Sequence, residues 1–121
     1  MQGERDAKMG WGDLYEEALV GLHAQLAKDL QRNPQKMTFV IGRLSDFDMS
    51  SKKYPHWKKV RLAQIKVANS NPKYFWVDTD ELNDGLNRKG KQITNDLHYS
   101  AEGYKILGKR FAQACLMAIG K

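Results

Sequence analysis

One cysteine, three prolines and no long apolar run: this chain is marked first by what it has little of. The lone Cys115 excludes an internal disulfide, and with it any redox compartment inferred from cysteine usage. Its place in a helical apolar pattern predicts a small buried hydrophobe. No stretch approaches the ~18–20 apolar residues that span a bilayer, so no membrane partner is expected. The opening residues are polar and charged and give no secretory signal, which leaves localisation open. Basic residues outnumber acidic ones, 20 to 14, for a formal net charge of +6. They are spread along the chain, densest at Lys52-Lys53, Lys58-Lys59-Arg61 and Arg88-Lys89-Lys91, and none of these groups is interleaved with an aromatic stacking motif. A solvated basic surface is expected, not a nucleic-acid interface. His23, His56, His98 and Cys115 show no metal-ligand spacing, so neither a metal nor another cofactor is expected.

What is present fits one domain over 121 residues. Gln2 to Gly12 read as a polar opening. Asp13 and Glu16 then suit a capping pair for a first helix. Leu14, Ala18, Leu22, Leu26 and Leu30 form an apolar stripe along it, and Asn33-Pro34 ends it. Met37 to Ile41 suit a buried strand. A polar loop over residues 45–54 leads to Pro55 and a second helix, with Trp57, Val60, Gln64 and Val67 on one face. Tyr74 to Val77 suit a second strand, followed by Asp78-Thr79-Asp80. Residues 83–95 read as loop. A last helix opens at Ser100 and runs to Ile119, with Tyr104, Leu107, Phe111, Cys115 and Ala118 facing one way.

The alternation predicts an α/β layer with parallel strands and crossover helices. Two parallel strands, however, cannot bury both faces and leave both edges open. The sheet wants more strands than these, so the expectation is a truncated chain or an assembly partner.

Two stretches look chemical: residues 2–7 (QGERDA) and 95–100 (NDLHYS). His98 lies at a loop-to-helix junction with Asp96 two residues before it, a placement that suits a general base. The alternative of a capping or surface histidine stays open on these residues alone.

Five blocks resemble, in order, those of the sialate O-acetylesterase group of SGNH-type carbohydrate esterases. Residues 2–7 resemble its W-x-Q-G-E-S-D-A block, and residues 57–64 (WKKVRLAQ) its W-x-x-V-R-x-A-Q segment. Residues 75–82 (FWVDTDEL) are similar to its V-D-T-D-D-L strand end. Residues 96–104 (DLHYSAEGY) are similar to D-x-x-H-F-S-x-E-G-Y, and residues 107–112 (LGKRFA) to L-G-x-R-x-A.

The resemblance implies a flavodoxin-like SGNH hydrolase fold, incomplete here, with residues 1–121 as the C-terminal part of one domain. It implies removal of O-acetyl groups from carbohydrates, of sialate or xylan type, by serine acylation. His98 matches the catalytic base. Glu4 matches the glutamate that helps orient the histidine, and Gln2 and Gly3 match the oxyanion segment. Three departures stand out. The G-Q-S-N block that carries the nucleophile is absent. Asn95 replaces the usual aspartate three residues before the histidine, so the acid role shifts to Glu4 or Asp96. Arg5 replaces the usual serine. None of Ser45, Ser50, Ser51, Ser70 and Ser100 lies in a nucleophile pattern. The implied partners are an acetylated carbohydrate and either the missing N-terminal half or a dimer partner. This chain alone is expected to be inactive, and a non-catalytic carbohydrate-binding or interaction domain is the alternative.

The remaining candidates read as structural. His23 is expected on the solvent border of its helix, Asp78 to Glu81 as a solvated strand end, and Tyr74, Phe75 and Trp76 as core.

Overall fold

A computed structural model describes residues 1–120. Two short apolar segments form its sheet: β1 (Phe39–Gly42) and β2 (Tyr74–Val77). They pair in parallel, Phe39 opposite Tyr74 and Gly42 opposite Val77. The crossover between them contains α3 (Trp57–Ala68), which makes the unit a βαβ element. Before it come α1 (Glu4–Met9) and α2 (Gly12–Asp29), and after it a small antiparallel hairpin, β3 (Gly85–Leu86) with β4 (Gln92–Ile93), and α4 (Ala101–Ile119). The architecture is mixed α/β with a small parallel sheet and flanking helices, as expected.

Helix α3 is the centre of the packing, in contact with α1, α2 and both strands. Its expected face is buried: Trp57, Val60, Gln64 and Val67. Trp57 also closes a cluster with Phe47 and Tyr54, with ring centroids 5.3 and 5.5 Å away in edge-to-face geometry. Each such pair contributes about 0.5–1.5 kcal/mol beyond area burial. Successive strand residues face opposite sides. Ile41 joins the cluster around α3, whereas a Cβ on Gly42 would lie 2.8 Å from the Phe111 ring of α4. A glycine there lets α4 lie close against the sheet.

Several expectations are corrected. The polar opening contains helix α1, with Ala7 fully buried. Asp13 and Glu16 do not cap α2: Trp11 holds the N-cap position without a side-chain bond. The two carboxylates instead reach α3, Asp13 to Lys59 at 2.7 Å and Glu16 to Lys66 at 2.8 Å. The leucine stripe of α2 is exposed, and the buried face is Gly12, Tyr15, Leu19, His23 and Ala27. His23 is therefore interior, not at the solvent border. Its Nδ1 accepts from the Tyr74 hydroxyl at 2.8 Å and its Nε2 lies 3.3 Å from the Met37 carbonyl. A carbonyl can only accept, so Nε2 carries the proton. The stretch expected as loop over 83–95 holds the β3–β4 hairpin. On α4 the buried residues are Gly103, Ala114 and Ala118; Tyr104 and Cys115 are exposed.

Candidate active site

The loop before α4 is pinned from behind. Ser100 caps the helix, its Oγ accepting from the Gly103 N–H at 3.0 Å. The Ser100 N–H donates to the Leu82 carbonyl at 2.9 Å. Gly103 is what permits this: a Cβ there would sit 2.0 Å from the same carbonyl oxygen. Two residues upstream of the cap stands His98, with most of its ring exposed. Its backbone N–H donates to Asp96 Oδ1 at 2.8 Å, and its Nδ1 lies 3.5 Å from that oxygen. Asp96 is itself held by buried Asn83, whose Nδ2 donates to the Asp96 carbonyl at 2.9 Å and whose carbonyl accepts from the Asp96 N–H at 3.3 Å. Asn83 carried no sequence signal beyond its place just after the strand-end block.

Asn95 plays a different part. It adopts φ 47°, a conformation asparagine tolerates better than most residues. Its side-chain oxygen accepts from the Asp48 N–H at 3.1 Å, and its own N–H donates to Asp84 at 2.6 Å. Asn95 clasps two loops together, and it is the neighbouring Asp96 whose carboxylate lies beside His98.

In front of His98 lies a cleft of about 570 Å³. Asp96, Tyr99 and Tyr104 line it, together with Arg88 and Lys89 from the β3–β4 hairpin. No serine belongs to its lining. Ser45 is buried, Ser100 caps α4, Ser50 bonds Asp48 and Ser70 bonds the Val67 carbonyl.

The N-terminal block approaches the same region through Tyr99. That buried ring meets Met1, its hydroxyl donating to the Met1 Sδ. Burial pushes the Tyr99 hydroxyl up to about 12, and the nearby Glu4 carboxylate adds to the shift. Glu4 itself is taken by the Met1 amine at 2.7 Å and, among the described residues, makes no hydrogen bond to His98. Gly3 has φ 102°, and a Cβ there would lie 2.8 Å from Val60. It is the residue that lets this block lie flat on α3. The Gln2 side chain accepts from the Tyr15 hydroxyl.

Beneath the site the family-like blocks meet in one polar hub. Buried Gln64 accepts from the Leu44 N–H at 2.8 Å and donates to the Tyr15 hydroxyl at 3.1 Å and the Gln2 carbonyl at 3.4 Å. One turn earlier, Arg61 donates to the Leu44 carbonyl at 2.6 Å and grips Asp80 with both terminal nitrogens, at 2.7 and 3.0 Å. Arg43 Nη2 reaches Asp80 at 2.7 Å and also pairs with Asp78, and its guanidinium stacks 4.6 Å from the Trp76 ring centre. Thr79, fully buried, donates to the Arg43 carbonyl at 2.7 Å. The strand end expected to be merely solvated is thus a two-arginine, two-aspartate lock. Burial opposes ionisation of Asp80, but the hydrogen bonds and charges of Arg61 and Arg43 outweigh it and hold the carboxyl below its ordinary value.

Chemically, the region offers an imidazole beside a carboxylate on the wall of a cleft, on a loop fixed by the cap of helix α4 and by Leu82 and Asn83. The family model described as carbohydrate esterase, sialic acid-specific acetylesterase, matches residues 1–117. No curated protein and no solved structure matches the chain. Over nearly all its length, then, this chain belongs to the sialic acid-specific acetylesterase family of carbohydrate esterases.

Proposed function

We propose that this chain supplies the base-bearing side of a Ser-His-acid esterase site that removes O-acetyl groups from carbohydrates, sialate first. The observation that carries the reading is the His98–Asp96 pair, 3.5 Å apart on a cleft wall. Asp96 orients the imidazole through Nδ1 and stabilises its protonated form, leaving Nε2 for the reaction. The serine comes from a G-Q-S-N segment outside these residues, within a flavodoxin-like SGNH fold. His98 Nε2 takes the serine proton as the oxygen attacks the acetyl carbonyl. The oxyanion is met on the Gln2-Gly3 side. Collapse breaks the ester bond, and His98 returns the proton to the sugar alkoxide. Water, activated by the same imidazole, then releases acetate and restores the serine. Glu4, on the N-terminal block beside Tyr99, is the helper acid.

The purified chain alone is expected to hydrolyse 4-nitrophenyl acetate no faster than its His98→Ala variant. Robust turnover abolished by that substitution would show a nucleophile inside the chain. Joined to a serine-bearing N-terminal half from the family, it should release acetate from O-acetylated sialic acid. His98→Ala should then lower kcat by about 10³-fold or more, and an unchanged kcat would remove His98 from the chemistry. A larger loss for Glu4→Gln than for Asp96→Asn would assign the acid to Glu4.

A second reading draws on the absence of any serine from the cleft lining. On it, the chain is a carbohydrate-binding domain descended from such esterases. Sugar binding without turnover, even with the serine-bearing half supplied, would favour it.

A further inference from the structure

His98 stands on a loop held at both ends by three consecutive residues. The Leu82 carbonyl accepts from the Ser100 N–H at 2.9 Å. Asp84 Oδ1 accepts from the Asn95 N–H at 2.6 Å. Between them Asn83 meets Asp96 twice, its Nδ2 donating to the Asp96 carbonyl at 2.9 Å and its own carbonyl accepting from the Asp96 N–H at 3.3 Å. Asp84 is exposed, and Leu82 reaches the loop through its backbone. Asn83 is thus the one of the three that commits a buried side chain to the loop. Burying an amide costs free energy unless it is hydrogen-bonded. An apolar side chain would fill the same space but could not donate to the Asp96 carbonyl.

What Asn83 fixes is the backbone of Asp96, and the carboxylate follows. Asp96 Oδ1 accepts from the His98 N–H at 2.8 Å, a two-residue turn that carries it to 3.5 Å from His98 Nδ1. Among the described residues, Asp96 is the only hydrogen-bond or ion-pair partner of the His98 side chain, and most of that ring is in solvent. The carboxylate therefore decides which ring nitrogen carries the proton. A neutral imidazole beside a carboxylate is protonated on the near nitrogen, because only an N–H can donate to it. The tautomer of His98 reports where the Asp96 carboxylate stands.

We propose that Asn83 is a positioning residue of the site: its buried amide holds Asp96 so that the carboxylate keeps His98 in the Nδ1–H form, with Nε2 free to take a proton. Asn83 acts through Asp96. The inference rests on the reading of His98 and Asp96 as base and acid, and deepens it.

The test is the tautomer of each histidine in the 121-residue chain, read by long-range proton–nitrogen NMR at about pH 9, where imidazole is neutral. His23 and His56 serve as internal references. Each uses Nδ1 as an acceptor, from the Tyr74 hydroxyl and the Gly12 N–H respectively, and so keeps its proton on Nε2. His98 should be the exception, with Nδ1–H predominant. Asp96→Ala should lower its ratio of Nδ1–H to Nε2–H about 5-fold, the scale of one net hydrogen bond. Asn83→Ala should lower it nearly as far and leave His23 and His56 unchanged. Val67→Ala, which opens a cavity on the buried face of α3, should keep the ratio of the parent chain. If Asn83→Ala does not fold, Asn83→Ser, whose hydroxyl falls a bond short of Asp96, takes its place. A ratio that falls with Asp96→Ala but holds in the Asn83 variant would overturn the proposal alone. A ratio that Asp96→Ala leaves untouched would overturn it together with the pairing of His98 and Asp96. A matching fall in Val67→Ala would overturn it too, since any loosening of the core would then move the ring.

Discussion

At Asp80 two guanidiniums meet one carboxylate, and the consequence is a pH dependence of known sign. An unfolded aspartate titrates near 3.9, and the folded Asp80 is held lower. The stabilisation is therefore fully present above about pH 4 and is lost as pH falls through the folded value. Urea unfolding between pH 7 and pH 3 should show a shallower acid loss for Asp80→Asn than for the parent chain. Identical slopes would mean that the Arg61 and Arg43 pairs do not set acid stability. This residue was visible in the sequence only as part of an acidic cluster after a strand. Its partners lie 19 and 37 positions away, and no local pattern announces such pairings. Gln64 makes the same point. Its place on the buried face of a helix was readable from period, but its role as a three-way hydrogen-bonded hub was not.

Elements were readable where an apolar run or a cap marked them. The last helix, its Ser100 cap and the two β-forming tetrapeptides follow from apolar runs and capping chemistry. Helix α1 and the β3–β4 hairpin span too few residues for a period to register. Helix α2 is long enough for a period, yet its leucine stripe does not mark its buried face. Leucines every four residues draw a stripe, but Tyr15 and His23 are polar by type and interior in fact, because each finds a hydrogen-bond partner there. Among these elements, α4 is the one whose seating governs the site. Gly103→Ala would drive a methyl group to 2.0 Å from the Leu82 carbonyl. The helix must then lift, at about 2 kcal/mol or more, and the loop carrying His98 moves with it. Denaturant midpoints should fall accordingly, and the amide resonances of residues 96–100 should shift. A variant as stable as the parent would show that this contact relaxes without cost.

At the scale of the molecule, β1 pairs only with β2 among the described residues, and the leucines at 14, 22, 26 and 30 stand in solvent. Open strand edges and apolar patches favour association, opposed here by a net charge of +6. Sedimentation equilibrium should give a weight-average mass that climbs above 13.9 kDa with concentration, more steeply at high salt. A constant monomer mass at low and high salt alike would mean that these surfaces do not drive association. That two strands form the parallel sheet was readable from the sequence. The way α1 and the first residues fold back over α3 was not, since it depends on a glycine at φ 102° and on a glutamine 62 positions further on. That fold-back has a consequence in time. On the ribosome, Gln2 emerges before Gln64 and cannot meet it until 62 further residues have followed. Met1 must wait for Tyr99, 98 residues later. Contacts of such long sequence separation form slowly. The block at residues 1–7, made before the partners it packs on, is thus among the later parts of these residues to find its place.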